Sequence, residues 1–309
     1  MKRLLLTIKP QTAFASPIVG AMLFGHVCWG IRESCGDAHL SDLLEGYCEG
    51  LPFIVCSDAF PHGFLPLPAY PLAHWIRPES TSKEMKRKKW LPVTQWPHPI
   101  ANWYKEAKSD KEVLQTNSPG ESFVLRGAQM HNSINRMTGT TSTGMFAPYQ
   151  SETLEYHPSG LLDIYIDFDD QRISAETIAH TLSTIGLIGF GRDASIGLGK
   201  FTVENSSEIN NEITSKTVMT LSASVLDSNA LDSTKTYYAV QTYFGRHGNV
   251  RAVGESPFKR PVLMSSTGAH LSCRHISSVP FIGHGVTGLS LYKDTVHQGY
   301  ASLVNLLEE

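Results

Sequence analysis

Five glycines fall between Gly186 and Gly199 in the stretch I-G-L-I-G-F-G-R-D-A-S-I-G-L-G-K-F, which runs from Ile185 to Phe201. Glycine loses more conformational entropy on folding than other residues, so such a cluster belongs where the backbone takes φ > 0 or where a ligand touches its amides. Arg192 and Lys200 flank the loop and Ser195 adds a hydroxyl donor. Amides and cations converging on one segment bind anions. A phosphate backbone is the expected guest of Gly189, Gly191, Arg192, Ser195, Gly197, Gly199 and Lys200. The competing reading is a long hairpin loop without a ligand. Spacing excludes two nucleotide motifs. A Walker loop needs glycine where Ala194 stands and Ser or Thr where Phe201 stands. The set Gly189, Gly191, Ala194 fits G-x-G-x-x-A, but it follows a helical pattern and precedes a strand, the reverse of the order dinucleotide binding requires.

A second chemical stretch runs from Arg126 to Phe146 without one carboxylate. Its donors, among them Asn132, Ser133, Asn135, Arg136, Thr138, Thr140 and Thr141, suit phosphates, sugars and 2′-hydroxyls; a plain polar loop is the alternative. His131 within it and His26 in L-F-G-H-V-C-W are the histidines open to acid/base work, with a hydrogen-bonded core residue as the other reading of His26. Residues Arg77 to Lys108 carry Lys83, Lys86, Arg87, Lys88 and Lys89 with Trp90, Trp96, Trp103 and Tyr104 interleaved. That mixture suits nucleic acid, or else a solvated arm whose aromatics dock on the body. Arg246, Arg251, Lys259 and Arg260 form a further positive cluster. Asp163, Asp167 and Asp169 alternate along one strand, where a basic partner or water is expected in preference to catalytic metals.

The elements that must position these groups follow from periodicity. Arg3 to Lys9 reads as a strand ended by Pro10, and Ser16-Pro17 as the start of a helix closed by Gly36. The many prolines from Pro52 to Pro71 predict a strand leading into a protruding arm. In L-L-D-I-Y-I-D-F-D-D, Leu162, Ile164, Ile166 and Phe168 take one face and the polar residues the other, which predicts a half-buried strand. Ser174 caps a helix to about Leu187, and the Gly-rich loop leads from it to the strand G-K-F-T-V-E. Glu204 to Ser215 reads as an interdomain link. Strands are then predicted at Thr217 to Leu226, Thr236 to Phe244, Val262 to Ser265 and Gly288 to Tyr292. The β-α-β-β-α-β order of the first region predicts an α+β, ferredoxin-like (RRM-like) unit.

With 309 residues and 41% hydrophobic composition the chain can bury one large or two ordinary cores, and its net charge of −3 argues against a generic polyanion binder. Cysteines 28, 35, 48, 56 and 273 form no C-x-x-C pair, so reduced intracellular thiols are expected and a zinc site is not. Lys9 and Pro10 interrupt the apolar run that precedes Ile31, so neither an export signal nor a membrane span is expected.

Five segments in order, S-P-I-V-G-A-M-L-F-G-H-V-C-W, S-D-A-F-P-H-G-F-L-P-L-P, N-S-I-N-R-M-T-G-T-T, the glycine loop, and F-K-R-P-V-L-M with V-H-Q-G-Y-A, resemble the RAMP superfamily across nearly the whole chain. Within it the chain is similar to the type III-A CRISPR effector subunit that caps the crRNA 5′ tag. The resemblance implies a ferredoxin-like RAMP domain over residues 1–205, with a thumb-like basic insertion at about 66–125 and the glycine loop at 186–200. A smaller, mainly β, degenerate ferredoxin-like domain over 206–309 would follow. It implies tag contacts from the glycine loop and RNA contacts from His131, Asn132, Asn135 and Arg136, with Lys88, Lys259 and Arg260 as outlying cations. Asn135 stands where the family pattern often has Asp, which removes a carboxylate near the RNA. The implied partners are crRNA, the large polymerase-cyclase subunit and RAMP backbone subunits. The implied role is a cytoplasmic, non-catalytic scaffold without cofactor, and the rival reading is a metal-independent endoribonuclease that processes the crRNA precursor.

Overall fold

Residues Lys2–Pro10 form β1, whose apolar Leu4, Leu6 and Ile8 are buried as the alternation predicts. A computed structural model describes residues 1–76, 86–114, 122–141 and 143–307; Arg77 and Lys83 of the basic block lie outside the described residues. After β1 come α1 (Gly20–Cys35), α2 (Asp37–Leu44) and β2 (Ile54–Pro61). Two hairpins precede β7 (Leu162–Phe168): β3 (Phe64–Pro66) with β4 (Trp90–Pro92), and β5 (Val124–His131) with β6 (Tyr149–Tyr156), separated by the short α3 (Trp103–Glu106). Then α4 (Ala175–Ile188) leads through the glycine loop to β8 (Phe201–Ile209). The last third is β9 (Thr217–Thr220), β10 (Val240–Tyr243), β11 (Val262–Ser265), β12 (His270–Ser272), β13 (Phe281–Gly283) and β14 (Tyr300–Asn305). Among the described residues the strands pair antiparallel, in one sheet ordered β2-β7-β1-β8, a second ordered β12-β9-β14-β13, and three two-stranded ribbons. The architecture is mixed α/β, with several antiparallel sheets and few helices.

Helix α1 starts at Gly20, not at Ser16-Pro17. The Ser16 hydroxyl accepts from the Arg192 amide, and the carboxylate of Asp58, on β2, accepts from the Gly20 amide and so caps the helix from outside. Helix α4 matches its prediction, with the Ser174 hydroxyl accepting from the Thr177 amide at 3.1 Å. Strand β8 runs to Ile209 and pairs with β1 as far as Arg3, so the first half of the expected interdomain link is edge strand. Its polar residues face solvent, which is why its composition imitates a linker. Gly288 to Tyr292 is irregular, with bends rather than a strand, and Gly288 takes φ +73°. Strands β12, β13 and β14 replace it, and Tyr300 and Leu303 on β14 are fully buried.

The largest correction concerns β7, where all seven residues are buried. Its apolar face packs against the helices, while Tyr165 on the other face joins Phe60, Trp103, Met219, Leu221 and Leu306 in a second core. The carboxylates on that face are therefore enclosed. Asp167 receives a two-pronged contact from Arg3, at 2.8 Å to each oxygen, and Arg3 also reaches the Pro280 carbonyl. Asp163 accepts from Thr7 and from the Gly63 amide and meets His62 Nδ1 at 2.8 Å.

The arm does not protrude through its described part. Trp75, Leu91, Ile100, Trp103 and Tyr104 are buried in the second core, and the indole N–H groups of Trp90, Trp96 and Trp103 donate to Asp110, Asn305 and His98. Of the aromatics expected to stack on bases, Trp103 and Tyr104 are core residues, and Trp90 and Trp96 are partly buried against them. The lysines stay outside because an aliphatic stem lies along apolar surface while its ammonium keeps its water.

Candidate nucleic-acid interface

The chain ends of β1, β2, β7 and β8 meet at one end of the first sheet, where Pro10 pairs with Phe201 and Pro61 with Leu162. The glycine loop leaves that end, and so does the β5–β6 hairpin. Phe14 and Leu154 exchange two backbone hydrogen bonds, of 2.9 and 2.7 Å, which tie the hairpin to the segment just after β1.

Gly189, Gly191, Gly197 and Gly199 take φ of +118°, +79°, +95° and +75°. At Gly199 a side chain would also collide with the Phe190 carbonyl, and at Gly189 with that of Leu198. The turns fold the loop onto itself. Phe190 N–H donates to Gly199 C=O at 2.9 Å, Gly199 N–H to Ala13 C=O at 2.8 Å, Gly197 N–H to Ala194 C=O and Lys200 N–H to the Thr12 hydroxyl. The glycine amides expected to bind a phosphate are thus occupied inside the protein. The glycines serve close backbone crossings, and the groups the loop offers outward are the exposed side chains of Arg192, Ser195 and Lys200.

His26 lies beneath the loop. Its Nε2 accepts the Gly191 amide at 3.1 Å and its ring lies 4.6 Å from that of Phe190. Burial lowers its pKa to about 4. The neutral ring is a structural acceptor, with the nitrogen a general base would use already engaged. A pH dependence follows. From pH 6.5 down to 4 the unfolded chain binds a proton that the folded chain refuses, so stability falls with acidification by about 1.4 kcal/mol per unit, roughly 3 kcal/mol in all. His297, lowered to about 3 by burial first and the Lys259 charge second, adds to this slope, and Asp58, raised to about 6 by burial, opposes it. Comparing thermal midpoints of wild type and His26→Gln from pH 7.5 to 4.5 isolates the His26 part. The gap between the two is expected to shift in favour of the variant as pH falls; a constant gap rejects the assignment.

Arg192 links the loop to the hairpin, donating through Nη2 to the Ser151 hydroxyl and the Glu152 carbonyl, both at 3.0 Å, while its Nε sits 3.3 Å from Asp193. Between loop and hairpin lies a groove of about 280 Å³ whose charged lining is Arg126, Arg192 and one acidic residue, Glu152. Two guanidinium groups on one open groove suit a phosphate chain. Arg126 is the residue that sequence reasoning did not single out. Its signal was its place in the strand pattern: it is exposed on β5, opposite Leu154, the residue anchored to Phe14.

The other candidates are dispersed. Exposed Asn132 and Arg136 occupy the hairpin tip, and the Asn135 side chain accepts from the Met137 amide at 2.9 Å as a turn former. His131 at the end of β5 stacks on Tyr149 at 5.3 Å. Lys88 lies on the arm and reaches the Lys105 carbonyl. Lys259 and Arg260 belong to the region of β10 and β11. Burial disfavours the Lys259 ammonium, and Arg260 is exposed. Among the described residues no helix is long and apolar enough to cross a membrane.

No protein-family model matches the chain, and no curated protein does. Solved structures do. A chain of the Csm3–Csm4 subcomplex of the type III-A CRISPR-Cas interference complex is 14% identical, with TM-score 0.59 and 98% of each chain covered. A chain of the Csm1–Csm4 cassette in complex with pppApA gives 14% and 0.59 over 100% of both, and the cassette with cA4 gives 14% and 0.59 over 99% of this chain and 100% of that one. The full-length likeness is to Csm4 of these assemblies, so the chain shares its fold.

Proposed function

We propose that this chain is a non-catalytic crRNA-binding subunit of a type III CRISPR ribonucleoprotein. It caps the 5′ tag and bridges the large polymerase-cyclase subunit to the RAMP backbone subunits. On this reading β1-α1-β2-β7-α4-β8 is a ferredoxin-like unit carrying both hairpins as its insertion, and the remainder is a second, degenerate domain. The observation that carries the RNA role is the groove in which Arg192, leaving the glycine loop, and Arg126, on the hairpin, face one open channel at the sheet end. Phosphates there gain two charge-assisted partners without base readout.

Two observations support this reading over an endoribonuclease: His26 is held under the loop as an acceptor, and His131 stacks on the Tyr149 ring. The test is crRNA retention by the complex assembled with the chain's neighbouring subunits. Arg126→Ala and Arg192→Ala are each expected to weaken RNA binding for every spacer alike and to reduce the salt slope by about 1. Unchanged retention in both variants, or a specific metal-independent cut of repeat RNA by the wild type, overturns the proposal.

A further inference from the structure

The ribbon of β10 and β11 carries a surface that the RNA role does not use. Its inner side, Tyr243, Val262 and Met264, packs on Ala223, Val225 and Leu289. Its outer side is apolar and open. Thr242 stands opposite Leu263 in the ladder, and Val240 and Leu263 are 58% and 67% exposed. The ribbon continues to the bridge between Arg246 and Phe258, where Phe244 and Phe258 are 71% and 66% exposed. The Arg246 guanidinium lies 5.5 Å from the centre of the Phe258 ring. From Tyr237 to Ser266 the only carboxylate is Glu255, against Arg246, Arg251, Lys259 and Arg260.

We infer that this outer face of the ribbon is the docking surface for a protein partner that presents an apolar patch rimmed by carboxylates. A grouping of large exposed side chains on one ribbon marks an interaction site, because a free chain gains nothing by keeping it in water. Its make-up fits a protein interface core, in which aromatics and Arg are enriched and Asp, Glu and Lys are scarce. Single-stranded RNA is the other polyanionic candidate. It is disfavoured because the two exposed rings, Phe244 and Phe258, share the face with aliphatic Val240 and Leu263, which offer a base no π-face, and because Lys259 is only partly exposed. The exposed Arg246 and Arg260, on and beside the ribbon, select an acidic rim by charge complementarity. Arg260, expected from the sequence to touch RNA, belongs on this reading to the rim of the protein interface.

The inference rests on the proposal that the chain is a subunit of a ribonucleoprotein, and the experiment separates the two. The tagged chain is co-expressed with the large subunit and with the backbone subunits, and the co-purified proteins are quantified. In parallel, the chain alone is titrated with a fluorescent single-stranded repeat RNA. Phe244→Ser with Phe258→Ser, and separately Leu263→Ser, are expected to lower recovery of one protein partner tenfold or more while RNA affinity and thermal midpoint stay at wild-type values. Full recovery of every partner by the variants overturns the docking surface. Loss of RNA affinity with partners retained overturns it in favour of an RNA platform. A wild-type chain that retains no subunit overturns the ribonucleoprotein reading itself and the docking inference with it.

Discussion

Replacing Asp167 with Ala is expected to destabilise the protein by about 3–5 kcal/mol. Asp167 is fully buried and Arg3 is 3% exposed, so removing the carboxylate strands a guanidinium without water or counter-charge. The Asn211 amide, at 3.1 Å from Asp167 Oδ1, keeps only its longer bond to the Met1 carbonyl. The comparison that identifies the cause is the double variant Arg3→Met with Asp167→Leu. Replacing both charges with apolar groups removes the unpaired ion and should recover most of the loss. Urea unfolding of the three proteins reads it directly. A cost below about 1 kcal/mol for Asp167→Ala would mean that the polar face of β7 is solvated after all, as the strand's alternation alone predicts.

Gly199→Ala is expected to cost about 3 kcal/mol or more, and Gly197→Ala only about 1–2 kcal/mol. Both glycines have φ > 0, so both variants carry backbone strain. Gly197 has open space around its Cα, whereas Gly199 is buried with the Phe190 carbonyl where a side chain would go. The sequence treats the two alike: from it, Val at either position is expected to lower RNA retention with the fold intact. The structure separates them: Gly199→Ala should melt well below wild type even without RNA, while Gly197→Ala should melt close to it. Equal midpoints would show that the crossing of Gly199 over Phe190 is not part of the folded loop.

The loop shows where motif reading stops. Glycine spacing announces positive φ, and all four candidates have it. Spacing is silent on who takes the amides, and here Ala13, Ala194, Ile185 and His26 take them. Arg192 and Arg126 were legible as cations, but not as neighbours. Their meeting depends on the Phe14–Leu154 bridge, which joins residues far apart in the chain.

Composition and local pattern by themselves determined β1, the Ser174-capped helix α4, the glycine-loop turns and the mixed α/β class. Each of these is set by interactions within a few residues: alternation, a cap three residues away, and the steric permission of glycine. The tertiary structure alone decided that β7 is buried on both faces, that the aromatic arm docks, and that the outer face of the β10–β11 ribbon stays bare. Those outcomes depend on cover supplied from elsewhere in the chain, such as the Pro280 carbonyl that meets Arg3 across 277 residues. Periodicity reports which way a side chain points; it carries no record of what will be packed against it.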